Sequence, residues 1–271
     1  MKTPQQKLSQ FLILTFAFSW LIWLPGVLTT LGIISVPSGL VKLLELVGAI
    51  GPAVAALYLT GRYAGKPGLK QMLISSINVK THWRFWLGAV VMLLALHAAA
   101  RWIYSLVEPN LPQSDLLQSP VAIVPIFIVM FLVGGGLGEE IGWRGYALDL
   151  IQEKRMALVA SLFLFVLWSV WHFPLFFMGG TNQSLIPIWL WLLPVLPLSV
   201  MLTWVYNNTH TIFAAAMFHT VGNLSHELFR VVPTEVSPNI SGFVILTVLY
   251  YVAAIAIVGV YGAKTLRRER K

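Results

Sequence analysis

The sequence predicts an all-α polytopic membrane protein, a bundle of about eight transmembrane helices with a polar cavity inside the membrane. Three observations predict it. Hydrophobic residues make up 58% of the 271 and charged ones only 10%, where a soluble domain carries about 25% charged residues. The mean hydropathy is +0.79. Apolar runs of the roughly 20 residues needed to cross a bilayer recur along the whole chain.

Eight such spans are expected, at about 9–33, 40–60, 85–107, 124–150, 156–178, 188–206, 211–230 and 240–262. The first run is too long for a signal-peptide core and lacks a small-residue cleavage site, so it is expected to remain as a span. The second carries a Gly-Pro-Ala turn at Gly51–Ala53. No internal repeat appears and the loops are short, so residues 1–271 are expected to form a single integral membrane domain. Cysteine is absent, which excludes disulfides and thiol chemistry. The net charge of +8 sits at segment ends rather than on one face. That distribution fits anionic membrane lipid and gives no reason to expect nucleic acid as a partner.

Basic residues collect in cytoplasmic loops of membrane proteins. Lys2 and Lys7 precede the first span, and Arg62, Lys66, Lys70, Lys80 and Arg84 separate the second from the third. Arg144, Lys154 and Arg155 flank the end of the fourth, and Lys264, Arg267, Arg268, Arg270 and Lys271 follow the last. Only Lys42, Arg101 and Arg230 of the 18 fall on the other side. The expectation is a prokaryotic cell-membrane protein with both termini cytoplasmic.

Ionisable groups at membrane depth are costly and turn toward protein or a watery cavity. Glu108, Asp115, Glu235 and Glu269 are expected in loops or the tail, Asp149 and Glu153 near the end of the fourth span, Glu45 at an interface, and Glu227 at the outer end of the seventh span. That leaves Glu139 and Glu140, in "GGGLGEEIGWRGYAL", as carboxylates that a span would bury. His82 and His210 fall in loops. His172 lies in "FVLWSVWHFPLFF", and His219 and Asn223 are one turn apart in "AAMFHTVGNLSHELF".

A depth argument links these residues. From Lys154 and Arg155 to His172 is about 25 Å along a helix rising 1.5 Å per residue. Glu139 reaches a similar depth only if the chain stays helical from "EEIGWR" to about Glu153. The glycines Gly134–Gly136 allow a neighbouring helix to approach closely and also weaken the helix they sit in. Glu140 and Arg144 are i, i+4 and suited to an ion pair, whereas Glu139 points about 100° away. Trp168, Trp171 and the phenylalanines beside His172 are expected as packing or lipid contacts. His226 and Glu227 are expected at a solvated helix end, and His97 with Arg101 as a structural pair.

The order of these motifs resembles the CPBP intramembrane protease family. This group comprises the type II CAAX prenyl endopeptidases and bacteriocin-processing or immunity proteins, also called Abi. The motifs are "EEIGWR" (Glu139 to Arg144), "WSVWH" (Trp168 to His172) and "HTVGN" (His219 to Asn223), all within about 120–225. The second motif usually opens with Phe, and this chain has Trp168. The resemblance implies peptide-bond hydrolysis within the membrane. Glu139 and His172 would activate water, His219 and Asn223 would stabilise the oxyanion, and Glu140 and Arg144 would support the site.

Amide hydrolysis needs a base for water, donors for the oxyanion and an acid for the leaving amine, and the set contains each. The favoured reading has no cofactor. Zinc is the alternative, with Glu139, His172 and His219 as ligands; the H-E-x-x-H signature is missing, because "HELFR" ends in Arg230. Other classes consistent with the residues are a non-catalytic bacteriocin immunity protein and a transporter with a Glu/His path. The expected partners are membrane lipids and a peptide or protein substrate in the membrane, prenylated or not. The expected cavity lies between the fourth, fifth and seventh spans and opens to the cytoplasm, with a lateral gap for substrate.

Overall fold

The computed structural model describes residues 2–234 and 238–268. Glu235, Glu269, Arg270 and Lys271, assigned above to a loop and the tail, lie outside the described residues. Twelve α-helices follow in order. They are α1 (Pro4–Thr30), α2 (Ser38–Ala49), α3 (Gly51–Ile77), α4 (Trp83–Val107), α5 (Asp115–Gln118), α6 (Ile123–Leu132), α7 (Leu137–Gly142), α8 (Asp149–Gln152), α9 (Ala157–Trp171), α10 (Ile188–Thr209), α11 (Ile212–Phe229) and α12 (Ser241–Tyr261). Seven helical stretches are long and apolar enough to cross a membrane. The eighth expected span is α11, whose histidines, Asn223 and Glu227 make it more polar. It is tolerated because it is sheathed by protein, packing against α3, α4, α6, α7 and α10.

Local chemistry sets the helix ends that matter. Thr3 caps α1 by accepting from the Gln6 amide, while the Gln6 side chain accepts from the Thr3 amide. Ile50 separates α2 from α3, and Gly51, Pro52 and Ala53 open α3. α3 is bent again at Gly65, whose φ of 63° suits glycine. The fourth span is not one helix. α6 ends at Leu132, the chain turns through Gly134–Gly136, and α7 restarts at Leu137. From there it runs through a π-helical segment, Trp143–Leu148, into α8. The required continuity from Glu139 to Gln152 is present, and the break falls where three glycines remove helix stability. π-helical segments are rare and recur at functional sites.

Close approach explains Gly142. A Cβ there would lie 2.5 Å from both the ring and the carbonyl of Pro52, so the start of α3 packs directly on the end of α7. α9 stops at Trp171 because Pro174 cannot continue the ladder. α6 differs from its neighbours, since none of its ten residues is buried.

Candidate active site

All six residues singled out in the sequence converge. Glu139, His172, His219 and Asn223 line one cavity of about 560 Å³, together with Gly134, Trp168 and His226. Glu140 and Arg144 lie behind it with no exposed surface.

The paired glutamates sit in the first turn of α7, where the helix dipole favours negative charge. Their side chains diverge as the 100° step requires. Glu140 Oε1 accepts from Arg144 Nη1 at 3.0 Å and from His219 Nδ1 at 2.7 Å. Glu139 Oε2 accepts from the Trp168 indole N–H at 2.6 Å. Glu140 thus holds two partners on one oxygen behind the cavity, whereas Glu139 lines the cavity with only Oε2 engaged.

His172 sits at the end of α9, where helix carbonyls are left over. Its Nδ1–H donates to the Trp168 carbonyl at 2.8 Å, which leaves Nε2 as the basic nitrogen. Trp168, Trp171 and Trp191 surround the ring. His219 uses Nδ1 on Glu140, so its Nε2 is the free nitrogen. Asn223 Nδ2 donates to the Gly134 carbonyl at 3.1 Å. Gly135, at φ +107°, passes so near that a Cβ would lie 2.6 Å from Asn223 Nδ2 and 2.9 Å from His219 Nε2. The break between α6 and α7 therefore brings the backbone onto the His-Asn face of α11.

Four expectations change. Arg144 is not a cytoplasmic-loop residue, because the helical run to Gln152 carries it into the bundle, where it is 0% exposed. Trp168 is not merely packing: its N–H holds Glu139, and its ring lies 5.2 Å from the Arg144 guanidinium and 5.3 Å from the His219 ring. His97 and Arg101 are not paired. His97 bonds the Leu93 carbonyl and the Tyr250 hydroxyl, whereas Arg101 donates to the Pro112 carbonyl. His226 forms part of the cavity wall rather than a solvated end, and Glu227 stands at the cavity's partly exposed rim. Trp168 is the site residue whose role sequence reasoning missed, whereas the close approach expected at Gly134–Gly136 is seen where Gly135 meets His219 and Asn223. A signal for Trp168 existed, since a tryptophan N–H at membrane depth needs an acceptor.

The cavity has a polar rim. Its solvent-near lining is Lys42, Glu45, Asn182, Gln183 and Glu227. These lie on α2, in the α9–α10 connection and at the end of α11, at the end of the bundle away from Lys154 and the chain termini. Sideways, Leu46 and Ala49 of α2 face Pro125, Ile126, Val129 and Met130 of α6 across an apolar part of the wall.

Among the described residues no three His, Asp or Glu side chains are arranged to hold a metal ion. Glu139, His172 and His219 share the cavity but do not converge as a ligand set.

Residues 120–225 match the family model of type II CAAX prenyl endopeptidases, described as Rce1-like. The region that carries the motifs is thus the region similar to type II CAAX prenyl endopeptidases. The similarity of this chain to known proteins extends further. It is 29% identical to CAAX prenyl protease 2 of Methanococcus maripaludis over 234 residues, covering 82% of this chain and 84% of that protein. The apolar helices and this similarity together make the chain an integral membrane protein that resembles an endopeptidase family.

Proposed function

We propose that the chain hydrolyses a peptide bond of a membrane-associated substrate with water activated by Glu139 and His172, and with His219 and Asn223 stabilising the oxyanion. One observation carries the reading: a carboxylate with a free oxygen, two imidazoles each with a free Nε2, and a carboxamide all line one cavity at membrane depth.

The roles follow from the hydrogen bonds. Glu139, oriented by Trp168, takes a proton from water as the water oxygen bonds to the scissile carbonyl carbon. His172 has its Nδ1–H fixed on a backbone carbonyl, so its Nε2 lone pair orients the same water. The developing oxyanion then needs N–H donors. Asn223 Nδ2 supplies one. His219 supplies the other from Nε2 as an imidazolium, because its Nδ1–H is spent on Glu140, and the Glu140 carboxylate balances that cation. When the C–N bond breaks, the proton held by Glu139 passes to the leaving amine. Glu140 and Arg144 are positioning residues for His219 rather than catalytic ones.

The proposed reaction uses no metal. The charge distribution supports a cell-membrane protein with cytoplasmic termini.

The test is cleavage of a quenched fluorogenic hydrophobic peptide, and of its S-farnesylated form, by purified protein in detergent. Glu139→Gln should lower kcat by several orders of magnitude and leave the melting curve unchanged. Wild-type turnover by that variant removes the assignment. No cleavage by the unmodified protein at any peptide concentration favours a binding protein of the same fold.

A further inference from the structure

His226 lines the cavity together with Glu139, His172, His219 and Asn223, and it has no part in the proposed reaction. Among the described residues no group hydrogen-bonds its ring. Its neighbours explain why. A second imidazole, His97 of α4, lies beside it with ring centroids 5.3 Å apart and no exposed surface. His97 Nδ1 meets the Leu93 carbonyl at 2.9 Å. A carbonyl can only accept, so Nδ1 carries the proton and Nε2 of the neutral ring accepts. Tyr250 of α12 fills that Nε2 from its hydroxyl at 3.2 Å. Asn223, one turn before His226, spends Nδ2 on the Gly134 carbonyl. The groups around His226 are thus satisfied by one another, and its two nitrogens are left to whatever enters the cavity.

The register of α11 sets how far along a substrate His226 reaches. His219, Asn223 and His226 are spaced i, i+4, i+7 and share a face. At 1.5 Å per residue, His226 stands about 4.5 Å beyond Asn223 and about 10.5 Å beyond His219 along the axis. An extended peptide advances roughly 3.4 Å per residue, so one whose scissile carbonyl sits between the His219 and Asn223 donors brings a peptide group about two residues away to His226. Charge favours a neutral group there. Glu45, Glu139 and Glu227 all line the cavity, and Lys42, the one lysine or arginine among its described lining residues, already pairs with Glu45. Towards α10 and α12 the wall is Trp191, Val195, Phe243 and Leu246, against which an unmet peptide N–H or C=O costs free energy.

We infer that His226 is a substrate-binding residue that hydrogen-bonds a main-chain peptide group of the substrate about two residues from the scissile bond. The inference rests on the endopeptidase reading of the same site and adds a second hold on the peptide, apart from the oxyanion donors. A neutral imidazole offers one donor and one acceptor, so it can meet either the N–H or the C=O of that group. Held at both points, the peptide cannot slide along α11, and a single carbonyl stands before Glu139.

His226→Phe keeps a ring against His97 and removes both nitrogens. The Glu139→Gln chain binds without turnover, so its affinity for a fluorescently labelled hydrophobic peptide is read by anisotropy in detergent. Adding His226→Phe should raise Kd about five- to tenfold and leave the melting curve unchanged. His226→Gln, whose carboxamide again supplies a donor and an acceptor, should recover most of that loss. In the otherwise unaltered chain, KM should rise by the same factor while kcat stays within about twofold. Peptides with a single backbone amide replaced by an ester, stepped over about three residues on each side of the cleaved bond, locate the group. At one position the ester should weaken binding to the Glu139→Gln chain and cost nothing further when His226→Phe is added.

Equal affinity with and without His226→Phe, absence of binding, or additive losses at every ester position overturns the inference. The ester series with His226 in place depends on no variant at that position, and if no ester weakens binding the inference also fails. An effect of His226→Phe that vanishes when the peptide's terminal carboxylate is replaced by a carboxamide would assign His226 to a carboxylate instead. His226-dependent binding by a chain that cleaves nothing sinks the hydrolysis reading alone. Cleavage indifferent to His226 sinks only this inference.

Discussion

Replacing Trp168 by Phe isolates a single contact. The substitution keeps a ring over Arg144 and beside His219, now 5.2 Å and 5.3 Å away, and deletes only the indole N–H that Glu139 Oε2 accepts at 2.6 Å. A hydrogen bond to a charged group contributes about 1.5–3 kcal/mol, and each 1.36 kcal/mol is about tenfold in rate. Complete loss of the bond would therefore cost roughly 10- to 150-fold in kcat. Water entering the vacated position would recover part of that, so a fall of about tenfold is expected. The assay is steady-state cleavage of the fluorogenic peptide, with KM expected to stay within twofold because Trp168 orients the base rather than the substrate. In the Glu139→Gln background the second substitution should have no further effect on the residual rate. A kcat within twofold of wild type, or a loss that appears only in KM, would refute the reasoning that the indole positions the carboxylate.

Other outcomes follow from the same geometry. Arg144→Ala leaves Glu140 with only His219, and Glu140→Ala strands a buried guanidinium; either should cost about 3–5 kcal/mol, read as a lower melting temperature in detergent. Wild-type melting of both would remove the ion pair from the account. Gly135→Ala should cut kcat at least tenfold, because its Cβ would lie 2.6 Å from Asn223 Nδ2 on a backbone at φ +107°; normal turnover would mean that the glycine turn does not shape the oxyanion site. Exhaustive chelation should leave activity intact and elemental analysis should find no stoichiometric zinc. One zinc per chain, with activity restored on its return, would convert the carboxylate and histidines into ligands.

Much of this was legible because polar residues are scarce. With ten acidic residues in the chain, each could be asked for its reason, and only Glu139 and Glu140 lacked one outside a buried site. The i, i+4 spacing gave the Glu140–Arg144 pair, and the depth argument gave the helical run that the π segment and α8 complete. What stayed hidden depends on contacts between segments distant in sequence. Glu140 shares its oxygen with His219, 79 residues away, and no local pattern encodes that. Trp168 was read by its bulk, although its one polar atom decides its role. Arg144 was counted as a loop charge because composition cannot distinguish a basic residue at a helix end from one drawn into the bundle. The direction of the opening was not legible for a related reason. Depth fixes how far a residue lies from one surface, but not which half of the bundle is open.

The polarity of α11 ties fold to chemistry. Alone among the eight expected spans it falls short of the hydropathy a membrane helix needs, and the residues responsible are those of the site. A helix bearing His219, Asn223, His226 and Glu227 is unfavourable against lipid, where each polar group costs free energy unless protein meets it. Eleven of its residues are buried, and Ala214, Ala215 and Ala216 have no exposed surface, so neighbouring helices can crowd its lower half. Three of these four are then met by a specific partner: His219 by Glu140, Asn223 by the Gly134 carbonyl, Glu227 by Arg230. Those partners come from α7, the glycine turn and the α11 terminus itself. The order of dependence is testable in the chain as it stands. Glu140→Gln keeps the side-chain shape and a hydrogen bond to His219 but removes the charge that balances an imidazolium. If α11 needed only a hydrogen-bond partner, both melting temperature and turnover would survive that change. If His219 acts as a cationic donor, the melting temperature should fall less than in Glu140→Ala while kcat falls at least as far, and equal retention of both would separate the fold of α11 from its proposed chemistry.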